Sequence, residues 1–188
     1  MKKGWIVIIV LVAILALGIF SLVGAYNDIA TQQEAVGTAF SNIQTQLQRR
    51  ADLVPNLVET VKGYTSHEEE VMTAIADARS AMMAAGNMGD LAAANDSLTS
   101  ALSRLMVVVE NYPDLKADAT YISLMDELAG TENRISTART DYNTAAQQYN
   151  TEIIRFPKNL LAAIFNFKRA DYFEASDEAQ TAPEVSFE

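Results

Sequence analysis

The chain has 188 residues, enough for one domain with short appendages. It contains no cysteine, which excludes a disulfide framework, a thiolate nucleophile and a Cys-based zinc site. A formal net charge of -10 argues against nucleic-acid binding, which depends on clustered Lys and Arg, and the low content of eight Gly and four Pro favours helices.

The N-terminus predicts a membrane anchor. After Lys2 and Lys3, no charged residue occurs before position 28. Residues 4–25 form an apolar stretch that suits a bilayer-spanning helix of ~20 residues. The alternative is a secretory signal peptide cleaved after Ala25, but the apolar region of such a peptide usually has only ~7–15 residues. We expect a retained anchor with residues 1–3 in the cytoplasm, because the basic flank is on that side.

A seven-residue repeat follows the span and predicts a left-handed helical bundle over residues 26–157. Two rows, offset by four residues, run through the first half of this region, and a third row runs through the second half. The rows are Val36, Ile43, Arg50, Leu57, Tyr64, Val71 and Ala78; Phe40, Leu47, Val54, Val61, Glu68 and Ile75; and Tyr121, Leu128, Ile135, Tyr142, Tyr149 and Phe156.

A shorter helix is predicted between the two long patterns, from residue 91 to about residue 111. Asp90 is positioned to cap its N-terminus. Either Asp114 or Asp118 can cap the last long helix. That helix should stop near Pro157, because the residue before a proline is pushed out of the helical region.

Pro55 leaves two interpretations of the first long pattern. One kinked helix could run from Tyr26 to about Ala84, since the rows stay in phase across the proline. Alternatively the chain turns at residues 52–55, where proline suits the first turn of a new helix. The helix lengths narrowly favour the turn. One helix from Tyr26 to Ala84 would be much longer than the helix that follows it, whose ~22 residues cover only ~33 Å. We therefore predict an all-α protein, with a transmembrane helix and an elongated antiparallel up-and-down bundle of four segments, or of three as the alternative.

Two charged residues occupy positions in the apolar rows. Arg50 and Glu68 can either reach outwards to solvent or form a polar layer that fixes the register of the helices. Glu132 and Arg139, beside the third row, are possible partners. We expect Glu132 to meet Arg50 in a partly buried layer, because an unpaired buried charge would be costly.

A different interpretation places the polar residues around the proline on the surface. Arg49, Arg50 and Asp52 precede Pro55 and would form an exposed recognition corner, with Asn56 adjoining it. On this interpretation Arg50 recognises a partner and contributes little to stability.

No pattern in the chain predicts catalysis, a metal or a cofactor. His67 is followed by Glu68 and two more glutamates, but the second histidine of the H-E-x-x-H zinc motif is missing. We interpret this run as a solvated acidic helix face. No phosphate-binding loop and no combination of nucleophile, base and orienting partner is present in the sequence.

Tyr142 and Tyr149 have the spacing of core residues, and we interpret them as core. Asn143 and Asn150 each follow one of these tyrosines and should flank the row, where they could hydrogen-bond across helices.

The C-terminus divides into two parts. Residues 158–173 are apolar and aromatic, with basic residues towards the ends, and are too short to span a bilayer. They can cap the base of the bundle or lie in the headgroup region as an interfacial helix. From Asp171 onward the chain is acidic, and we expect a flexible tail that includes residues 174–188.

Several stretches resemble the LemA family of bacterial membrane proteins. Between about residues 26 and 175 they are, in order, YND, QLQRRADLVPNLVETVKGYTSHEEEV, YPDLKA, ELAGTENRISTARTDYNTAAQQYN and RFPKNLLAAIFNFKRADYFEA. The resemblance implies a single-span protein of the bacterial cytoplasmic membrane with an extended antiparallel helical bundle. It implies no reaction, because the family has no established activity. Asn133 and Arg134, in the fourth stretch, are further candidate interaction residues.

Two functions fit these observations. The first is a membrane-tethered scaffold whose helical faces bind its own copies or other envelope proteins. The second is an extracytoplasmic, sensor-like module that binds a ligand between its helices. A sensor would need a cytoplasmic output domain, and only about three residues precede the span, which favours the scaffold.

Overall fold

The computed structural model describes residues 2–65 and 68–173. Regular secondary structure in these residues is entirely helical, which confirms the all-α prediction. The helices are α1 (Lys2–Lys62), α2 (Glu69–Ala84), α3 (Met88–Val109), α4 (Pro113–Lys116), α5 (Ala119–Ile154) and α6 (Lys158–Ile164).

The first part of α1 is the predicted apolar helix. Its most apolar 18-residue stretch has a mean hydropathy of 3.3, and none of that stretch is buried within the protein. Large side chains such as Trp5 and Phe20 are exposed along it. The helix continues through Ala25 without a break. An unburied apolar helix of this length fits a lipid environment.

The prediction of a turn at residues 52–55 is wrong, because α1 continues through Pro55 to Lys62. The alternative of one helix reaching Ala84 is also wrong, because a separate helix begins at Glu69. Proline has no amide hydrogen, so in a helix it leaves the carbonyl four residues earlier without its donor. Here that carbonyl belongs to Ala51, and Arg79 Nε donates to it at 2.9 Å. A tertiary hydrogen bond thus replaces the missing helical one.

The chain forms two compact units. Of the described residues, unit 1 comprises residues 2–39 and 144–171, and unit 2 comprises residues 40–65, 68–143 and 172–173. Both α1 and α5 contribute to each unit. The core of unit 1 contains Ile29, Tyr149 and Ile153, and α6 adds Leu161 and Ala162 to it. The C-terminal segment therefore does cap a helical core, as one of the two interpretations proposed.

The described part of unit 2 contains four long helical segments, which are the end of α1, α2, α3 and the start of α5, and the short helix α4. α1 and α5 are antiparallel there, since Tyr64, just after α1, contacts Asp118, just before α5, while Arg50 contacts Glu132. α2 and α3 are joined by only three residues, 85–87, and pack against each other. The four-segment count was correct, although the first turn comes about ten residues later than predicted.

Most members of the predicted rows are buried. Fully buried members include Ile43, Leu57, Val61, Ile75 and Ile135. Two row positions are wrong, because Tyr64 and Phe156 are exposed. Both lie just beyond the end of a long helix, where the helical repeat has stopped.

Side chains cap α5 and α3. Asp118 caps α5: its Oδ1 accepts the Tyr121 amide at 2.9 Å and its Oδ2 accepts the Tyr64 hydroxyl at 2.9 Å. The Tyr121 amide, and after it the Tyr64 hydroxyl, lowers the pKa of Asp118, as hydrogen bonds to a carboxylate do. At α3 the cap is Asn87, which accepts from the amide of Asp90 at 2.9 Å, so the prediction of Asp90 as the cap is wrong.

Candidate functional site

A group of charged and polar side chains lies inside unit 2, and we call Arg50, Asn95, Asp96, Glu132 and Arg139 the polar layer. Arg50 is only 5% exposed, and its Nη1 donates to Asn95 Oδ1 at 2.6 Å. The same Nη1 lies 2.6 Å from Glu132 Oε2, in a residue whose side chain is 40% exposed. The structure therefore brings Arg50 and Glu132 together as the positional argument predicted.

The hydrogen bonds of the polar layer are incomplete. The close ion pair between Arg50 Nη1 and Glu132 Oε2 does not have the geometry of a hydrogen bond. Arg50 Nε, Asn95 Nδ2 and Glu132 Oε2 are buried with no hydrogen-bond partner among the described residues. The charge of Arg50 is compensated, while its hydrogen-bonding capacity is only partly used.

Burial dominates the electrostatics of Arg50. Desolvation is the largest effect on its pKa and lowers it; Glu132 and Asp96 act in the opposite direction, while Arg139 adds to the lowering. An arginine nevertheless stays charged at any physiological pH. Because removing charges from water costs free energy that their mutual attraction need not regain, a buried pair of this kind is weak evidence of added stability.

Arg139 connects the polar layer to the C-terminal segment. Its Nη2 lies 3.9 Å from Asp96 Oδ1, and its Cζ lies 4.4 Å from the centroid of the Phe173 ring, a cation–π distance. Phe173 is buried. The expectation that the flexible tail begins at Asp171 is therefore wrong for Phe173, and residues 174–188 lie outside the described residues.

Asn143 and Asn150 bind backbone rather than other helices, so the prediction for them was wrong. Asn150 Nδ2 donates to Ala170 O at 2.9 Å, and the Ala170 amide donates to Asn150 Oδ1 at 2.8 Å. Asn143 makes the same pair of bonds to Phe173, at 3.0 and 2.8 Å. A carboxamide offers one donor side and one acceptor side, as a peptide group does. These two side chains therefore hold an extended segment against α5.

The residues of the proposed recognition corner are not all on the surface. Arg49, Asp52, Pro55 and Asn56 are exposed, whereas Arg50 is buried. Adjacent residues on a helix do not face the same way, which accounts for the split. We keep the name exposed corner for Arg49, Asp52, Pro55 and Asn56.

The remaining candidates show no special geometry. Glu68 is half-buried directly before α2 and makes no side-chain cap there, and His67 lies outside the described residues. Asn133 and Arg134 are exposed, and Arg134 Nη2 donates to Thr131 Oγ1 at 3.3 Å. Among the residues that the structure describes, no three His, Asp or Glu side chains are grouped so as to hold a metal ion.

The two tyrosines are buried, as the core interpretation predicts. Tyr142 packs near Phe40 in unit 2, with ring centroids 6.4 Å apart. Tyr149 belongs to the unit 1 core, and its hydroxyl donates to Lys168 O at 2.8 Å. Burial raises the pKa of Tyr149, which keeps this donor protonated.

Sequence reasoning missed Arg79 and Asn95. Asn95 had a signal, because it interrupts the row Leu91, Leu98 and Leu102 at a position that faces the core. Arg79 had none, since a side chain that satisfies a carbonyl on another helix leaves no periodic pattern.

The fold defines this chain as a membrane-associated helical-bundle protein with an N-terminal apolar helix. The model of the LemA family matches residues 39–187, and the chain belongs to the LemA family.

Similar proteins include two described as magnetosome proteins. Magnetosome protein MamQ 2 of Paramagnetospirillum magneticum is 33% identical, over 87% of this chain and 70% of that protein. Magnetosome protein MamQ of Magnetospirillum gryphiswaldense is 28% identical, over 96% and 77%. Protein LemA of Metamycoplasma hominis is 29% identical, over 89% and 78%.

Proposed function

We propose that this protein is a membrane-anchored, non-enzymatic scaffold of the bacterial cell envelope that acts through helical protein–protein contacts, including contacts with its own copies. The observation that carries this proposal is the exposed corner on α1. Arg49, Asp52 and Asn56 face solvent beside Pro55, while the charge of neighbouring Arg50 is used inside the bundle. The descriptions of two relatives name an assembly, the magnetosome, and no reaction, which supports a structural role.

A photocrosslinking amino acid at Asn56 tests the exposed corner in native cells. We expect discrete crosslinked products there, and none from the same amino acid at exposed Ser100 on α3. Reversing the corner charges with Arg49→Glu and Asp52→Lys should remove the products without lowering Tm, because surface substitutions rarely change stability by more than about 0.5 kcal/mol. Identical products from Asn56 and Ser100 would refute the corner as a binding surface.

We also propose that residues 4–25 remain as the anchor and that unit 2 lies outside the cytoplasm. The unbroken helix at Ala25, whose side chain packs against the unit 1 core, supports retention. Lys2 and Lys3 before the span support the orientation.

Because the chain has no cysteine, single cysteines can report this topology. Val107→Cys, at a position 71% exposed, should react with an impermeant maleimide in intact cells, after permeabilisation of any outer membrane. The labelled protein should then pellet with membranes after alkaline carbonate washing. Gly4→Cys is the control and should react only after lysis. Labelled protein in the carbonate supernatant would show cleavage, and labelling of Val107→Cys only after lysis would reverse the orientation.

One observation favours ligand binding as a second candidate function. Arg50 Nε, Asn95 Nδ2 and two nitrogens of Arg139 are buried donors without hydrogen-bond partners among the described residues. They lie in the interior of a helical bundle, where small ligands can bind. Such donors suit a small anion. An increase in Tm with phosphate or acetate at constant ionic strength, lost in Arg139→Met, would support this function, whereas the scaffold proposal expects no increase.

A further inference from the structure

We propose that unit 1 has a second contact with the bilayer, formed where α5 turns into α6 and seated in the lipid headgroup region beside the span. All its large apolar side chains are more than half exposed, with Phe156 at 80% and Ile164 at 73%. We call this set the membrane-docking face; it consists of Ile154, Phe156, Leu160, Ile164 and Phe165.

Contacts with Tyr26 fix the level of this face along α1. Residues 4–25 form a helix of about 33 Å, which matches the ~30 Å hydrocarbon core. Tyr26 therefore stands where the span leaves the hydrocarbon, a depth at which aromatic rings are favoured. Its ring lies 4.8 Å from that of Phe165, edge to face, and 5.7 Å from that of Phe167. The turn between α5 and α6 is held at the same level.

One side of α6 packs against the unit 1 core, and the other side is exposed. Leu161 and Ala162 are buried against Ile29, and Ala25 packs against the same cluster. Ile29 is four residues beyond Ala25, which is about 6 Å along the helix. The headgroup layer on each side of the hydrocarbon is about 5–7 Å thick, so the other side of α6 faces lipid headgroups.

The basic residues around the membrane-docking face favour contact with an anionic lipid surface. In a chain of net charge -10, residues 155–169 contain four basic residues and no acidic one. Arg155, Lys168 and Arg169 are exposed. Lys158 pairs with Asp28 at 3.3 Å and with Glu152, so it neutralises two carboxylates near this level. Basic side chains close to a membrane surface are attracted to anionic headgroups.

Continuity with the span assigns the face to lipid rather than to a protein. The exposed apolar surface of α1, with Phe20 and Val23, leads directly to Tyr26 and from there to the face. Lipid is already present at this depth if the span is in a bilayer. Exposed apolar side chains with basic neighbours at the headgroup level are the pattern of an interfacial segment.

Fluorescence of the full-length protein tests this inference. The cysteine-free chain allows single labels with an environment-sensitive dye at Phe156→Cys and Ile164→Cys, with Val107→Cys in unit 2 as the matched control. Each protein is placed one copy per nanodisc of phosphatidylglycerol, which excludes contacts between copies. Lipids with a spin label near the headgroup should quench both face labels several-fold more than the control.

Two results would overturn the inference. If the face labels are quenched by aqueous iodide as readily as the Val107→Cys label, and not by lipid, the face is solvated. If their emission is shifted to the blue without lipid quenching, a protein surface covers them. Using two face positions guards against one substitution that disturbs folding.

Discussion

Replacing Glu132 with leucine should lower the free energy of unfolding by about 3 kcal/mol, because it removes the carboxylate that lies 2.6 Å from the buried charge of Arg50. Replacing Arg50 with leucine should cost less, about 1–2 kcal/mol, since the 40% exposed Glu132 can turn towards water. The double variant should regain most of the loss or exceed the wild-type stability, because the desolvation penalty disappears with both charges.

A double-mutant cycle on the full-length protein in mild detergent, followed by chemical denaturation, measures this coupling. The control cycle removes Lys116 and Glu110, an ion pair of 2.6 Å whose side chains are 55% and 65% exposed. That pair should couple by less than about 1 kcal/mol. A coupling energy of zero between Arg50 and Glu132 would mean that the layer does not act as a pair.

The second large effect concerns the proline. Arg79→Met should lower the free energy of unfolding by about 2 kcal/mol, because the Ala51 carbonyl loses the charged donor that replaces the absent amide of Pro55. Pro55→Ala should stabilise α1 by restoring the helical donor. In the Pro55→Ala background, Arg79→Met should lower the free energy of unfolding by well under half of that amount.

Arg104→Met is the matched control for this cycle, since Arg104 is an exposed arginine on α3. It should change stability by less than about 0.5 kcal/mol in either background. An equal cost of Arg79→Met with and without Pro55 would show that Arg79 acts through packing and not through the Ala51 carbonyl.

Much of the fold could be predicted because bundle packing is periodic. The heptad rows located core residues such as Ile43, Leu57 and Ile135, and Asp118 was one of the two caps proposed for the last long helix. The end of α1 could not be predicted in the same way. Pro55 signals a helix boundary only if nothing compensates the orphaned carbonyl, and the compensating group, Arg79, comes from another helix.

The candidate site was predictable where position alone decides the contact. Arg50 and Glu132 were paired because both lie in or beside rows that face the interior. The corner that joined Arg49 to Arg50 could have been rejected from helix geometry, since neighbours in sequence point about 100° apart on a helix of 3.6 residues per turn. The binding of Ala170 and Phe173 by asparagines depends on an extended segment that returns along α5, and no periodic pattern indicates such a segment.

The central claim is that the protein works through the exposed surface of its bundle, while the polar layer serves the fold. The most direct test is photocrosslinking from Asn56 in the Arg50→Leu, Glu132→Leu double variant. Our account predicts that this variant keeps its Tm and yields the same crosslinked products as the wild type. A variant with unchanged Tm that yields none of those products would contradict it, because the function would then reside in the buried charges.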